Sequence, residues 1–500
     1  MMAMGIGRQA LLVAAVSFVA ACASESSRPP EPAPRLSTEE LLFLNRVTWG
    51  ANASSARALA AAGRERYLEA QLDPRSPDVL PAEVQAQIDA MTISQRSAAE
   101  LAAELEHRRR DFQGLADPEA KKAAQQAYQQ ELTRLGREAA SRMLLRALYS
   151  PQQLRSQMTW FWMNHFNVFQ FKGNVRALIG DYEERAIAPH ALGRFRDLLA
   201  ATARHPAMLI YLDNARNAAG RLNENYAREL MELHTLGVDG GYTQHDVQEL
   251  ARILTGHSVG IVREQLYQFY QARHDYGDKE FLGRRIRGRG ADELDEALDL
   301  LARHPSTARF IARKLALYLA SDDPPEALIA RMAATFRATD GDIAATLRTL
   351  FTSPEFTASL GSKFKDPVHY VVSAVRLAYD GKVILNTMPM INWLARMGEP
   401  LYARPTPDGY PLTRTEWASA GQLATRFEIA RVLGYGAPAL FRSDGPEPFE
   451  RPAFPQLANA LYYESMRYTL GDATRQALEK ATSAQEWNML LLASPEFMHR

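Results

Sequence analysis

The sequence lacks most of the features that would assign it to a familiar functional class. Only one of its 500 residues is a cysteine, Cys22, so no disulfide can form within the chain. Basic and acidic residues balance at 58 each, which gives no electrostatic reason to expect a nucleic acid partner. The sequence contains no P-loop, dinucleotide-binding glycine motif or Gly-x-Ser-x-Gly elbow. Nucleotide binding and serine-hydrolase chemistry are therefore disfavoured.

Long apolar runs are also scarce, and the clearest one lies near the N-terminus. Residues 1–21 contain one basic residue, Arg8, followed by a short apolar segment from Ala10 to Ala21. This segment is too short to span a membrane and is typical of a signal peptide. The residues Val-Ala-Ala before Cys22 resemble a bacterial lipobox, which implies cleavage before Cys22 and lipidation of its thiol. The alternative is a plain secretory signal with an incidental cysteine.

The residues after Cys22 predict where the anchored protein goes and where its folded part begins. No aspartate follows the cysteine, so we expect an outer-membrane lipoprotein, attached to the membrane through its N-terminal lipid. Residues 22–36 are rich in proline and serine, and this composition predicts a disordered stalk. Ser37 and Glu40 form a capping-box pattern, so the folded domain is expected to cover residues 37–500.

The folded part is expected to be mainly α-helical. Residues 97–149 carry an Ala- and Glu-rich pattern interrupted near 114–118, which predicts a long, exposed helical hairpin. Residues 151–290 are dense in aromatic residues, histidine and asparagine, and residues 291–500 return to helical patterns. Strand patterns are almost absent, although 266–286 favours one β-hairpin. We predict a large multi-helix single core with a protruding N-terminal helical hairpin and at most one short β-hairpin.

The stretch TWFWMNHFNVFQFKG, residues 159–173, combines six aromatic residues with three strongly hydrogen-bonding ones, Asn164, His165 and Asn167. As a helix it would be apolar on every side, so it should be buried all round. A buried amide or imidazole without a partner costs about 1–3 kcal/mol, so these three side chains need partners. We expect polar side chains from residues 181–234 to supply them. Such a network either fixes a unique core or lines a site.

A second informative helix is predicted within residues 221–241. Glu224, Arg228 and Glu232 share one face of this helix, with Glu229 alongside. The face is either a solvated salt-bridge ladder or the wall of a cleft, in which the arginine orients two carboxylates. Spacing alone favours the ladder. The hydrogen-bonding need of the aromatic stretch favours burial, so we predict that the charged face packs against the helix that carries Asn164 and His165.

The sequence does not identify a set of metal ligands. The second helix offers Glu229, Glu232 and His234, but it contains neither a Glu-x-x-His nor a His-Glu-x-x-His pair. The signature of a di-iron bundle or a zincin is therefore missing. Whether a metal or another cofactor binds stays open, because separate segments could assemble a site from residues such as His165, His190, His274 and Asp275.

Several long motifs follow one another between residue 40 and the C-terminus. They are LNRVTWG (44–50), FWMNHFNVFQFKG (161–173), LNENYARELMELHTLGVDGGYTQHDVQELARILTG (222–256), HDYGDKEFLG (274–283), LARHPSTARFIARKL (301–315) and PTPDGYP (405–411). In this order they resemble the bacterial family called domain of unknown function 1800. The resemblance implies a secreted or envelope protein, often encoded beside a family that resembles sulfatases and alkaline phosphatases. It implies no established reaction and no established catalytic residues.

These observations lead to a leading hypothesis and an alternative. We predict a pocket formed by residues 160–173, 205–234 and 243–257, in which acid/base or metal-assisted hydrolysis acts on an extracellular or periplasmic substrate. The residues predicted to be catalytic are His165, Glu224, Arg228 and Glu232. Those predicted to bind substrate are Asn164, Asn167, Asp213, Asn214 and Asn225. The alternative is a non-catalytic scaffold or binding subunit that holds a neighbouring sulfatase-like protein at the membrane.

Overall fold

The computed structural model describes residues 34–261, 265–442 and 454–500. The predicted signal peptide, Cys22 and most of the predicted stalk lie outside these ranges. The described chain is mainly α-helical, which confirms the predicted fold class. Its N-terminal helices are α1 (Thr38–Val47), α2 (Ala53–Ala62), α3 (Arg64–Leu72), α4 (Ala82–Asp89), α5 (Thr92–Gln95), α6 (Ala98–Gln113) and α7 (Pro118–Tyr149).

The motif-rich part of the chain forms shorter helices, joined by irregular segments. They are α8 (Gln153–His165), α9 (Ile179–Asp181), α10 (Phe195–Arg204), α11 (Pro206–Tyr211), α12 (Asn225–Glu232) and α13 (Gln244–Ile253). A π-helical segment, Tyr182–Ile187, follows α9 directly. The capping box predicted from the sequence, Ser37 with Glu40 before α1, is confirmed, and a second capping box, Thr243 with Asp246, precedes α13.

The remainder of the described chain is again helical. Its helices are α14 (Asp292–Arg303), α15 (Pro305–Leu319), α16 (Glu326–Ala338), α17 (Ile343–Phe351), α18 (Pro354–Ala358), α19 (Pro367–Ala378), α20 (Met388–Arg396), α21 (Arg414–Trp417), α22 (Ala420–Gly434), α23 (Ala460–Glu464), α24 (Asp472–Glu479) and α25 (Ala484–Leu492). Among the helices of the described residues, none has both the length and the apolar composition needed to cross a membrane.

Two antiparallel strand pairs interrupt the helices, where the sequence suggests a single hairpin. They are β1 (His257–Gly260) with β2 (Gln265–Phe269), and β3 (Lys279–Phe281) with β4 (Arg284–Ile286). The segments 266–271 and 281–286, which the sequence suggests as partners, therefore belong to different pairs. Leu282 and Gly283 have φ angles of 49° and 69°. Positive φ at both positions is what a tight two-residue turn requires, so β3 reverses directly into β4.

One continuous apolar core extends through the described chain from Leu36 to Met498. Helix α7 shows how the hairpin of α6 and α7 leaves this core. Residues 118–127 of α7 are exposed or half-buried, whereas residues 139–148 are mostly buried. The outer part of the hairpin has a small apolar cluster of its own, which includes Leu101. The C-terminal half of α7 is therefore a core helix, and its N-terminal half is an exposed extension.

Buried arginines connect distant parts of the core by binding backbone carbonyl groups. Arg46 on α1 is fully buried. Its guanidinium donates to the carbonyl oxygens of Leu319 and Ala320 at the end of α15, and to those of Ser359 and Arg500. Because the last carbonyls of a helix have no intrahelical partner, these bonds both fix α1 and satisfy the end of α15.

Candidate functional site

The aromatic stretch folds as the end of α8 and a following loop, and its polar side chains hold a distant segment. Helix α8 ends at His165, so Asn167 lies beyond the helix. The Asn164 amide nitrogen donates to the carbonyl oxygen of Tyr410 at 2.9 Å, and the Asn164 amide oxygen accepts from the Tyr410 N–H at 2.6 Å. One side chain thus satisfies both backbone groups of a residue 246 positions away.

Residues 401–411, which we call the clamped loop, receive further bonds of the same kind. The Asn167 amide donates to the carbonyl oxygens of Arg404 and Thr406 at 3.0 and 2.8 Å. The Tyr211 hydroxyl donates to the carbonyl oxygen of Pro405 at 2.8 Å. The expectation that the three polar side chains of the aromatic stretch find their partners among side chains of residues 181–234 is therefore wrong for Asn164. The asparagines of the stretch satisfy backbone groups of a loop that the chain reaches much later.

His165 is buried, and its environment keeps it neutral. Its Nε2 lies 3.0 Å from the carbonyl oxygen of His234, so this nitrogen carries the proton. The ring stacks on Phe161 at 6.2 Å between centroids. Burial lowers the pKa of His165, and the charge of Lys314 lowers it further. Burial likewise lowers the pKa of His234, to about 3.

The two histidines have hydrogen-bonding capacity that the described residues do not use. The Nδ1 of His165 and both ring nitrogens of His234 are buried without a partner in that part of the chain. Buried polar atoms are nearly always paired in folded proteins. These three ring nitrogens therefore belong to the minority of buried polar atoms that lack a protein partner in the described chain.

The charged face predicted on α12 is a surface network. Arg228 lies 3.2 Å from the Glu224 carboxylate, and Gln244 bridges the two side chains. The side chains of Arg228 and Glu224 are 42% and 32% exposed. The prediction that this face is buried against α8 is wrong, because α12 turns its apolar residues inward instead. The buried residues of α12 are Tyr226, Ala227, Leu230 and Met231.

The other residues predicted to bind substrate contribute to turns. Asp213 has a φ of 59° and pairs with Lys172 at 2.8 Å. Asn214 is fully buried, and its amide donates to two backbone carbonyls after α13. Asn225 donates to one backbone carbonyl after α11 at 3.2 Å. These contacts give each side chain a structural role, and their role in binding stays a prediction.

The residues considered as metal ligands are engaged in other contacts. His274 lies 3.0 Å from Glu293, and Asp275 pairs with Arg252 at 2.8 Å. Over residues 34–261, 265–442 and 454–500, no group of three or more His, Cys, Asp or Glu side chains is arranged to hold a metal ion. The constellation of His165, His190, His274 and Asp275 is therefore not assembled as a ligand set.

A different set of ionisable side chains lies beside the histidine pair. We call Glu229 on α12, Lys314 on α15 and Asp408 on the clamped loop the Glu229 cluster. The Lys314 Nζ lies 5.6 Å from the centroid of the Phe310 ring. That ring lies 6.1 Å from the ring of His165. Lys314 is thus separated from His165 by a single aromatic side chain.

The electrostatics of the Glu229 cluster differ from those of an ordinary surface. Burial raises the pKa of Glu229, and the charges of Glu232 and Asp408 raise it further. Burial lowers the pKa of Lys314 to about 8, although the charge of Asp408 opposes this shift. Glu229 and Lys314 are half-buried, and the Asp408 side chain is 53% exposed. A carboxylic acid with a raised pKa can serve as a proton donor, and a second carboxylate nearby can serve as a proton acceptor.

Sequence reasoning noted Glu229 beside the charged face but did not select it. Asp408 is visible only as part of the PTPDGYP motif, and Lys314 only as part of LARHPSTARFIARKL. The signal that unites them is that each lies within or next to a motif segment. Two cavities, of about 750 and 600 Å³, lie in other parts of the described chain. The Glu229 cluster is the candidate site because burial and neighbouring charges shift the pKa values of Glu229 and Lys314.

Fold and site together define a class of protein. It is a mainly helical protein with one large core, in which distant motifs meet at a clamped loop that carries one member of an ionisable cluster. The chain belongs to the family described as "Protein of unknown function (DUF1800)", whose model matches residues 42–499. The membership predicted from the motifs is confirmed by this match. No curated protein and no solved structure shows a significant match to the chain.

Proposed function

We propose that the protein is an acid/base hydrolytic enzyme of the cell envelope, with Glu229 as its principal proton-transferring group. The observation that carries the proposal is the raised pKa of Glu229, which burial and the charges of Glu232 and Asp408 produce together. A carboxylic acid with a raised pKa keeps its proton to a higher pH than an ordinary glutamate does, so it is better suited to protonate a leaving group. Such a group is unexpected on a surface that serves only for solubility.

The three residues of the cluster divide the steps of a hydrolysis between them. Glu229 donates its proton to the leaving-group atom as the scissile bond breaks. The Asp408 carboxylate accepts a proton from the attacking water, which forms the new bond. Lys314, with a pKa of about 8, donates hydrogen bonds to the negative charge that develops in the transition state. In the described residues, neither the Glu229 carboxylate nor the Lys314 ammonium is taken up by an ion pair, so both are available to a substrate.

A screen of the full-length protein tests this assignment. Chromogenic esters, glycosides, sulfate esters and phosphate esters are offered to the wild type and to Glu229→Gln, Asp408→Asn and Glu224→Gln variants. We expect an activity that Glu229→Gln and Asp408→Asn each reduce by about 10²-fold or more, the usual contribution of a positioned acid or base. The matched control Glu224→Gln, on the same helix, should retain it. An activity that survives Glu229→Gln would overturn the assignment.

The pH dependence provides a second test of the same role. If Glu229 must be protonated to act, the rate of the wild type falls as pH rises through its raised pKa. Metal analysis of the purified protein accompanies these assays, because it separates acid/base from metal-assisted hydrolysis. A bound metal required for activity would favour the metal-assisted form of the hypothesis.

We further propose that the enzyme is held at the outer membrane by a lipid on Cys22. The support is the lipobox-like sequence before this residue and the stalk composition after it. Metabolic labelling with a fatty-acid analogue should tag the wild type and not Cys22→Ser. Fractionation should then recover the wild type in the outer membrane, and the variant should be missing from that fraction. Equal labelling of both proteins would remove the anchor.

A second candidate function is a scaffold that holds a neighbouring sulfatase-like protein at the membrane. The observation that favours it is the exposure of three large apolar side chains within the motif segments. They are Phe171 (52% exposed), Leu222 (43%) and Val238 (68%). Serine at all three positions should abolish co-purification with the neighbouring protein and leave hydrolysis by the chain itself unchanged. Co-purification that is unaffected by the triple variant would remove this candidate.

A further inference from the structure

A cavity of about 600 Å³ lies far along the chain from the Glu229 cluster, between α2, α3 and the ends of α7 and α19. Much of its wall is apolar, with side chains that include Ala58, Ala62, Tyr67, Leu148, Val375 and Tyr379. Its volume is that of a typical small-molecule site. None of the residues in the Glu229 cluster lines this cavity, so a ligand bound here would be independent of the proposed hydrolysis.

A buried guanidinium reaches the wall of this apolar cavity. Arg376 on α19 is 6% exposed and lines the cavity. Its Nε donates to the carbonyl oxygen of Gly50 at 3.1 Å, and its Nη1 donates to that of Leu148. The Nη2 has no hydrogen-bond partner among the described residues, and Arg376 forms no ion pair with them. A buried positive charge that is bound only by neutral carbonyl groups lacks an anionic partner, and burying such a charge costs free energy.

The neighbouring groups balance this charge only in part. Asp380 lines the same cavity, but its carboxylate accepts bonds from the Asn52 amide at 3.0 Å and from the Ser54 N–H at 2.8 Å. Tyr67 is 6% exposed, and within the described chain its hydroxyl makes no hydrogen bond. The cavity therefore combines an apolar wall with a guanidinium and a phenol, both of which retain unused donors.

Arg46 shows what a purely structural buried arginine looks like in this fold. Both of its terminal nitrogens donate to backbone carbonyls, so its donors are directed into the protein. The Nε and Nη1 of Arg376 also donate to backbone carbonyls, but its side chain lines a cavity. The difference points to a ligand for Arg376 and to none for Arg46.

We propose that this cavity binds a small molecule with a single anionic head group on an apolar body. The head group lies at Arg376 and Tyr67, where a guanidinium matches a carboxylate or a phosphate. The apolar body lies along the alanine-rich wall of α2 and against Val375. Two sources share this chemistry, an alkyl carboxylate and an alkyl phosphate, and titration with one of each distinguishes them.

Calorimetric titration of the full-length protein with dodecanoate, dodecyl phosphate and dodecanol tests the proposal. We expect at least one of the two anions to bind about tenfold or more tightly than dodecanol, and the tighter anion identifies the head group. Ala62→Trp should abolish binding, because it places an indole on the cavity wall. Ala61→Trp is the matched control, since it adds the same ring to the same helix at an exposed position that does not line the cavity.

The head-group contact needs its own variant, because Arg376 also fixes the end of α7 and its replacement endangers folding. Tyr67→Phe removes one donor and keeps the ring, so it should weaken the anion several-fold and leave dodecanol unchanged. Three results would overturn the proposal. They are the absence of binding by either anion, equal binding of anion and dodecanol, and undiminished binding by Ala62→Trp.

Discussion

The side chains that hold the clamped loop and the side chains of the Glu229 cluster are neighbours, yet they use their polar atoms in opposite ways. Asn164 and Asn167 are buried, and their amides form hydrogen bonds to backbone groups of the loop. Glu229 and Lys314 are half-buried, and burial shifts the pKa of each away from its usual value. A high density of asparagine in a motif therefore marks a structural clamp here. The candidate site is distinguished by the shifted pKa values of Glu229 and Lys314, and not by the density of motif residues.

The clamp should be broken most severely by Gly409→Ala. Gly409 has a φ of 77°, and an added Cβ would overlap the carbonyl oxygen of Asn164. The end of α8 and the clamped loop would have to move apart, so we expect a loss of about 3 kcal/mol or more in the free energy of unfolding. Gly283→Ala is the control, because its φ is 69° and nothing lies within 4 Å of the added atom. It should lose about 1–2 kcal/mol from its backbone conformation alone, as urea unfolding would measure.

The next largest effect is expected for Asn164→Ala. It leaves the N–H and the carbonyl oxygen of Tyr410 buried without partners, which should cost about 2–3 kcal/mol in the free energy of unfolding. Asn225→Ala is the control, because Asn225 is exposed and its amide donates a single bond at 3.2 Å. The control should lose less than about 1 kcal/mol. Equal losses in the two variants would mean that the Asn164 pair does not clamp the loop.

The smallest effect is expected on the outer face of α12. Glu224→Gln removes a half-buried surface carboxylate whose partners are Arg228 and Gln244. Surface pairs of this kind contribute little, so the free energy of unfolding should change by no more than about 0.5 kcal/mol. A loss of several kcal/mol in thermal or urea unfolding would restore the buried arrangement that the sequence suggested.

The fold was predictable where local patterns decide it. The helical class, the capping boxes at Ser37 and Thr243 and the stack of His165 on Phe161 all follow from residue spacing. The strand partners were not predictable, because segments 266–271 and 281–286 each pair with a nearer neighbour. The tight turn between β3 and β4 requires Leu282 to adopt a positive φ. Composition does not indicate that a leucine will do so.

The site was less predictable because its parts meet only in three dimensions. Asn164 and Asn167 clearly needed partners, but the partners are backbone groups, and every segment of a chain offers those. Glu229, Lys314 and Asp408 lie on three separate elements, and none belongs to a local metal or nucleophile motif. What identifies them is burial and mutual charge, and both depend on how α12, α15 and the clamped loop pack together.

The most direct test of the contrast is the stability of Glu229→Gln compared with the wild type at two pH values. The pKa of Glu229 is raised in the folded state, so the folded protein binds its proton more tightly than the unfolded chain does. Wild-type stability therefore falls as pH rises from the ordinary glutamate pKa through the raised value, and the penalty persists above it. Glutamine mimics the protonated acid and avoids this penalty.

Thermal unfolding should accordingly give equal Tm values for the two proteins at about pH 4, where glutamate is largely protonated in both states. At about pH 8 the Glu229→Gln variant should have the higher Tm. Asn164→Ala, measured alongside, should be less stable than the wild type at both pH values. If Glu229→Gln instead lowers the Tm at about pH 8, or differs from the wild type equally at both pH values, Glu229 is an ordinary structural carboxylate. The central contrast between clamp and site would then be contradicted.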